Sequence, residues 1–153
     1  MSSDGVAGGI ALTEGKWAGW SGWAEPHPDT FLQAIGRGYM RDLGSGRAQV
    51  GLETRPGHRN RIDMLHGGFL AAFADHAFFG ALWAMGLKEH VNGVTIDLNM
   101  QYLGAGKVGP DLIAEVELLR ETGRMLFLRM VMTQDGEPVA ASTATIRKAR
   151  AKK

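Results

Sequence analysis

Alternation of apolar and polar side chains dominates the C-terminal half of the chain. The segment VTIDLNMQY, residues 94–102, puts Val94, Ile96, Leu98, Met100 and Tyr102 on one face and Thr95, Asp97, Asn99 and Gln101 on the other. Such alternation predicts a half-buried strand. LIAEVELLRE, RMLFLRMVMT and PVAASTATIRK are three further strand candidates. Thr122-Gly123 and Asp135-Gly136-Glu137 supply the turns between them, as successive antiparallel strands require. Upstream, YMRDLGSGRAQVGLET reads as two strands joined at Gly44-Ser45-Gly46. Before it, PHPDTFLQAIG reads as a short helix, with Asp29 or Thr30 as its cap and Gly36 as its stop.

Between these blocks runs NRIDMLHGGFLAAFADHAFFGALWAMG. Asn60 to Leu65 reads as a loop, and His66-Gly67-Gly68 opens a long apolar helix. From Gly67 to Leu87 only Asp75 and His76 are strongly polar. The length would suit a membrane span. A carboxylate at the middle of a bilayer is costly, however, and the remainder reads as soluble strands. The segment is therefore predicted to be a helix buried on nearly all sides. The order is helix, two strands, one long helix, four strands. One helix can fill one face of a sheet if the strands curl around it.

Composition narrows the picture without naming a task. The 153 residues suit one domain with a sizeable core. Residues 1–25 form a Trp/Gly-rich N-terminal extension, expected to be partly disordered from Met1 to Gly9. Residues 26–148 carry the domain, and 149–153 are a basic tail. Trp17, Trp20 and Trp23 are expected to pack over the domain or across a subunit contact, with an aromatic substrate wall as the sharper alternative. A net charge of +1 is too balanced for a dedicated nucleic-acid binder. With no cysteine, disulfides, thiolate metal sites and cysteine nucleophiles are excluded. No signal-peptide pattern opens the chain, so the cytoplasm is the expected compartment. The five histidines make no metal-binding spacing, and neither a Gly-x-Ser-x-Gly elbow nor a phosphate-binding glycine loop is present.

The two strands, the loop ending in His-Gly-Gly, the long apolar helix with an acid nine positions after the His, and the final four strands together resemble the hotdog-fold acyl-CoA thioesterases, in particular the PaaI-like subgroup. The resemblance covers roughly residues 28–148 and is carried most specifically by NRIDMLHGGFLAAFADHAF and GVTIDLNMQYLGAGKVGPDL. It implies an α+β hotdog fold, a curved antiparallel sheet wrapped around one long central helix. It implies hydrolysis of acyl-CoA to free acid and CoA, with no cofactor beyond the CoA carried by the substrate. Gly67 resembles the residue whose backbone N–H polarises the thioester carbonyl, and Asp75 the catalytic acid, nucleophile or base. Asn60 and His66 match positions that shape the site, and Thr95 one that helps hold water. The family's dimers imply a homodimer, with a dimer of dimers beyond it.

Elementary chemistry agrees with the resemblance. The first turn of a helix presents N–H groups without intrahelical partners at the positive end of the dipole. Glycines let a substrate carbonyl approach them, so His66-Gly67-Gly68 makes sense as an oxyanion hole. A Gly-rich turn needed only for packing is the bland alternative. Asp75 lies eight residues beyond Gly67, about 12 Å along the helix. It cannot easily serve the Gly67 of its own chain, but it could serve that of a second, antiparallel chain in a two-fold dimer. His76 points about 100° away and reads as a packing residue. Substrate contacts are expected from Gly68 and from cations that would meet CoA phosphates: Arg59, Arg61, Lys107 and Lys148. Phe73, Phe79, Trp83 and Met100 are candidates for an acyl lining, each also readable as plain core. A non-catalytic acyl-CoA binder and a hydratase are the competing functions. His66, lying before the helix, suits the hydratase poorly.

Overall fold

In the computed structural model, residues 9–23 and 27–150 are described. The elements run β1 (Ile10–Ala11), β2 (Ser21–Gly22), α1 (Leu32–Ile35), β3 (Gly38–Gly44), β4 (Arg47–Leu52), α2 (Gly67–Ala84), β5 (Val94–Tyr102), β6 (Leu112–Glu121), β7 (Met125–Gln134) and β8 (Glu137–Arg147). All eight strands join one antiparallel sheet in the order β1-β2-β3-β4-β6-β7-β8-β5. α2 touches β3, β4, β5, β6 and β8, so the sheet wraps around it as the expected architecture requires.

The strand pairs follow from their turns. Ser45 and Gly46 both have positive φ (54° and 71°), as do Asp135 and Gly136 (49° and 80°). This is the geometry whose twist matches two antiparallel strands. The core forms where inward residues of β3, β4, β6, β7 and β8 gather with those of α2. Leu70, Phe73, Ala77, Phe78 and Ala81 of the helix pack against Val50, Leu52, Ala114, Val116, Leu128 and Met130. Phe73 is fully buried there, so it belongs to the core. Among the described residues no helix is long and apolar enough to cross a membrane.

Two details differ from the sequence reading, the helix cap and the alternation of β5, and a third, the tryptophans, follows it. The short helix starts after Phe31 with no side-chain cap. Thr30 instead donates to the His27 carbonyl (2.8 Å) and the Asp29 N–H to His27 Nδ1 (3.2 Å), so these residues build a turn ahead of the helix. Gly36, at φ 102°, does stop it. The tryptophans pack over the domain by adding β1 and β2 to the edge at β3. Trp17 stacks on Tyr39 (4.4 Å between ring centroids), and Trp23 lies against His76 (3.9 Å). Most of the stretch expected to be disordered, residues 1–8, and the tail at 151–153 lie outside the described residues. Finally, the register of β5 against β8 shifts between Thr95 and Asp97. That bulge breaks the even alternation: Ile96 turns outward, 53% exposed, and Thr95 turns toward the helix with Leu98 and Met100.

Candidate active site

The loop before α2 is fixed by two side chains. His58 is buried, accepts the Arg55 N–H at Nδ1 (3.1 Å), contacts the Ala34 carbonyl through Nε2 (3.1 Å) and stacks on Phe69 (3.8 Å). Burial lowers the His58 pKa, which keeps the ring neutral for that pair of bonds. Asn60 turns its carbonyl oxygen into the loop, accepting from the N–H groups of Ile62 (2.9 Å) and Met64 (3.1 Å). The loop then lies against residues 104–108, through the Leu65 N–H to the Gly106 carbonyl (2.9 Å) and a bridge between Met64 and Lys107.

This loop delivers His66 as the N-cap of α2. Its Nδ1 accepts the Gly68 N–H at 2.8 Å, so the neutral ring carries its proton on Nε2. Gly67, one residue earlier, has no acceptor for its N–H among the described residues. The first turn of α2 thus offers the Gly67 N–H as a free donor, with that of Phe69 likewise without an acceptor among the described residues, at the positive end of an 18-residue helix. Tyr102 of β5 covers it: its hydroxyl donates to the Gly67 carbonyl (2.9 Å), and its ring would lie 3.3 Å from a Cβ at Gly67.

Two turns further on, half-buried Asp75 accepts a short 2.6 Å hydrogen bond from Thr95 Oγ1 at Oδ1, leaving Oδ2 without a recorded partner. The bulge in β5 makes this contact possible. His76 faces the other way, onto the Trp23 ring. Burial pushes its pKa down to about 4, against a smaller upward pull from Asp75, so it is neutral at neutral pH and packs as expected. The structure therefore brings Asp75 to Thr95 and His66 to Gly68, while Asp75 and Gly67 remain two turns apart.

The cations divide into two groups. Arg59 pairs with Asp63 (3.4 Å), and Arg61 and Lys107 extend exposed side chains with no ion pair recorded among the described residues. These three surround the paired loops near the helix start. Lys148 is elsewhere: it follows Arg147, which pairs with Val94 at the opposite end of β5, and it is held by Glu121 at 2.5 Å. Among the described residues no three His, Asp or Glu side chains come together as metal ligands. A groove on the outer face of β4, β6 and β7 is lined by the ion pairs Arg47–Glu115 and Arg129–Glu117 and lies across the sheet from α2. Sequence reasoning missed Tyr102 as a site residue, because its place in the apolar alternation gave no sign that its hydroxyl reaches a helix carbonyl.

Known proteins supply the family. The model of the thioesterase superfamily matches residues 63–141. Human acyl-coenzyme A thioesterase 13 is 24% identical over 103 residues, covering 67% of this chain and 72% of that protein. The structure of zebrafish thioesterase superfamily member 2 superposes with a TM-score of 0.69 at 22% identity, over 79% of this chain and 88% of that one. A single-site mutant of the phenylacetic acid degradation protein PaaI from Thermus thermophilus gives 0.65 at 29% identity, over 79% and 100%. A hypothetical thioesterase from Streptococcus pneumoniae, solved with coenzyme A, gives 0.64 at 22%, over 73% and 88%. With a single long helix inside an antiparallel sheet and a family match across more than half its length, this chain belongs to the thioesterase superfamily, as a hotdog-fold member of PaaI-like type.

Proposed function

We propose that this protein hydrolyses acyl-CoA thioesters to the free acid and CoA, at sites built across a homodimer. One observation carries the reading. Gly67, whose N–H is free, and the Thr95-bound Asp75 both contact β5, are separated by two helical turns within the chain, and β5 is an end strand of the sheet. Val94, Ile96, Tyr102 and Leu103 expose 52–56% of their surface along it. A nine-residue end strand, with apolar side chains exposed beside Asp97, Asn99 and Gln101, is a template for a second strand. Antiparallel pairing of β5 with its copy, around a two-fold axis midway between Thr95 and Tyr102, sets the Gly67 of one chain opposite the Asp75 of the other. The same pairing draws Lys148 toward the Lys107 loop of the partner subunit, where CoA phosphates would find cations. Phe127 and Val131, exposed on the outer face of β7, suit a further association of dimers.

In such a site the thioester oxygen accepts from Gly67 N–H, and the helix dipole favours the charge that grows there. Asp75, oriented by Thr95, supplies the attack, either directly on the carbonyl carbon or by taking a proton from water that attacks it. The tetrahedral intermediate collapses by breaking the C–S bond, and the CoA thiolate leaves and is protonated. The direct route forms an anhydride that water then opens to the acid. His66 and Asn60 fix the loop that holds the donor. The neutral, Trp-packed His76 takes no part.

The test is release of free thiol from a panel of aryl- and fatty-acyl-CoA esters by wild type and by Asp75→Ala. Removal of a positioned acid-base group lowers kcat by about 10²–10⁴-fold, which is the loss expected here. Unchanged turnover in the variant removes Asp75 from the mechanism. Tight binding of every ester with no turnover by wild type would make the protein an acyl-CoA binder.

A further inference from the structure

The peptide unit joining Gly67 to Gly68 is held at both ends. Its carbonyl accepts from Tyr102 (2.9 Å), and its N–H donates to His66 Nδ1 (2.8 Å). Two successive glycines give the first turn of α2 the widest backbone freedom a helix can have. An oxyanion donor acts well only when it needs no reorganisation at the moment of reaction. We propose that Tyr102 is a positioning residue: with His66 it clamps the Gly67–Gly68 peptide, so that Gly67 is held between this unit and the preceding one, whose His66 carbonyl accepts the Leu70 N–H (3.0 Å), and its N–H cannot swing away from the site completed by the acid of the other chain.

The geometry gives Tyr102 this place. Its ring lies against the Gly67 α-carbon, and its hydroxyl, on a side chain more than half exposed, bonds a helix carbonyl instead of water. Tyr102 ends β5, and Thr95, which holds the acid, stands near the start of the same strand. In the composite dimer, on which this inference rests, Tyr102 lies beside Thr95 of the partner subunit. One edge strand therefore carries the support for the donor at one end and the support for the acid at the other.

Tyr102→Phe keeps the ring over Gly67 and removes only the hydroxyl. A small misdirection of an oxyanion donor costs about 10- to 100-fold in rate, so kcat should fall by that amount while KM stays within about twofold and the dimer persists. A purely structural hydroxyl would leave kcat unchanged, and that result would overturn the proposal. A mixed dimer of one Tyr102→Phe chain and one Asp75→Ala chain, isolated by two different tags, then assigns the site. It contains one unaltered composite site and should show about half the wild-type turnover per dimer. A dead mixed dimer would overturn the placement of Tyr102. The parallel mixed dimer of His66→Ala with Asp75→Ala separates the causes. If that pair is active, the composite site stands and only Tyr102 is misassigned; if it too is dead, the composite site itself is wrong.

Discussion

Replacing a buried glycine inside a helix by alanine normally stabilises the helix by about 1 kcal/mol. Gly80 of α2 should do the opposite. A Cβ there would lie 2.4 Å from Cζ2 of Trp23, 3.0 Å from Cε2 and 3.2 Å from Nε1. The indole cannot retreat: a Cβ on Gly38, on its other side, would be 2.0 Å from Cζ3. Its N–H donates to Met40 Sδ (3.0 Å), and its face meets the His76 ring. Trp23 is a wedge between α2 and β3 that only two glycines admit. Overpacking such a site costs about 2–3 kcal/mol, so after the propensity gain Gly80→Ala should lose about 1–2 kcal/mol. In a Trp23→Ala background the clash is gone, and the same substitution should gain about 1 kcal/mol. The sign reversal is a coupling of about 2–3 kcal/mol, read from guanidinium unfolding of the four proteins at one fixed protein concentration. A stabilising Gly80→Ala in the wild-type background, or effects that simply add, would refute the wedge.

Two other expectations rest on single side chains. The His76 pKa lies near 4 in the folded state against 6.5 for a free ring, so on acidification the unfolded chain takes up the proton first. Stability is intact above pH 6.5, falls as the pH drops toward 4, and levels off below it; about 2.5 units correspond to at most about 3 kcal/mol. His76→Gln should lack this fall, and parallel pH profiles of the two proteins would contradict the buried neutral ring. Gln134, buried to 7% exposure, accepts the Lys107 N–H (2.8 Å) and donates to the carbonyls of Lys107 (2.8 Å) and Pro110 (2.9 Å). Gln134→Leu orphans these groups and should cost about 2–3 kcal/mol while raising KM for CoA esters through the loosened Lys107 loop. Unchanged stability and KM would show that the loop is held by other contacts.

Much of the architecture is legible because it depends on neighbours in sequence. The β6–β7–β8 meander follows from alternation and from Asp135-Gly136, and α2 from a long apolar run opened by His66-Gly67-Gly68. What escapes the sequence depends on elements that meet only in the fold. VTIDLNMQY alternates without a break, yet pairing with β8 forces a bulge at Ile96, and that bulge is what turns Thr95 onto Asp75. β1 and β2 have two residues each, too few to carry a pattern. The need for glycine at 38 and 80 comes from an indole contributed by a distant segment. At the site, the helix-opening glycines and the intrahelical acid can be read as chemistry in one dimension. The role of Tyr102 cannot, since an aromatic in an alternating strand reads as packing until its hydroxyl is seen on a helix carbonyl.

The two ends of the sheet are unequal, and the inequality bears on how the site is completed. At one end β1 contributes only two residues, which leaves little edge for another chain to extend. At the other, β5 offers nine residues with apolar side chains exposed along them. Left open, such an edge invites indefinite addition; a two-fold pairing consumes it in a closed dimer. In the proposed dimer, covering the edge and completing the chemistry would be one event. Thr95 and Tyr102 stand at comparable distances on either side of Leu98 and Asn99, so the proposed pairing, in hiding Val94 and Ile96, would also carry each helix start to the other chain's carboxylate. A substitution that disturbs the β5 edge would therefore remove activity without touching any group that meets the substrate.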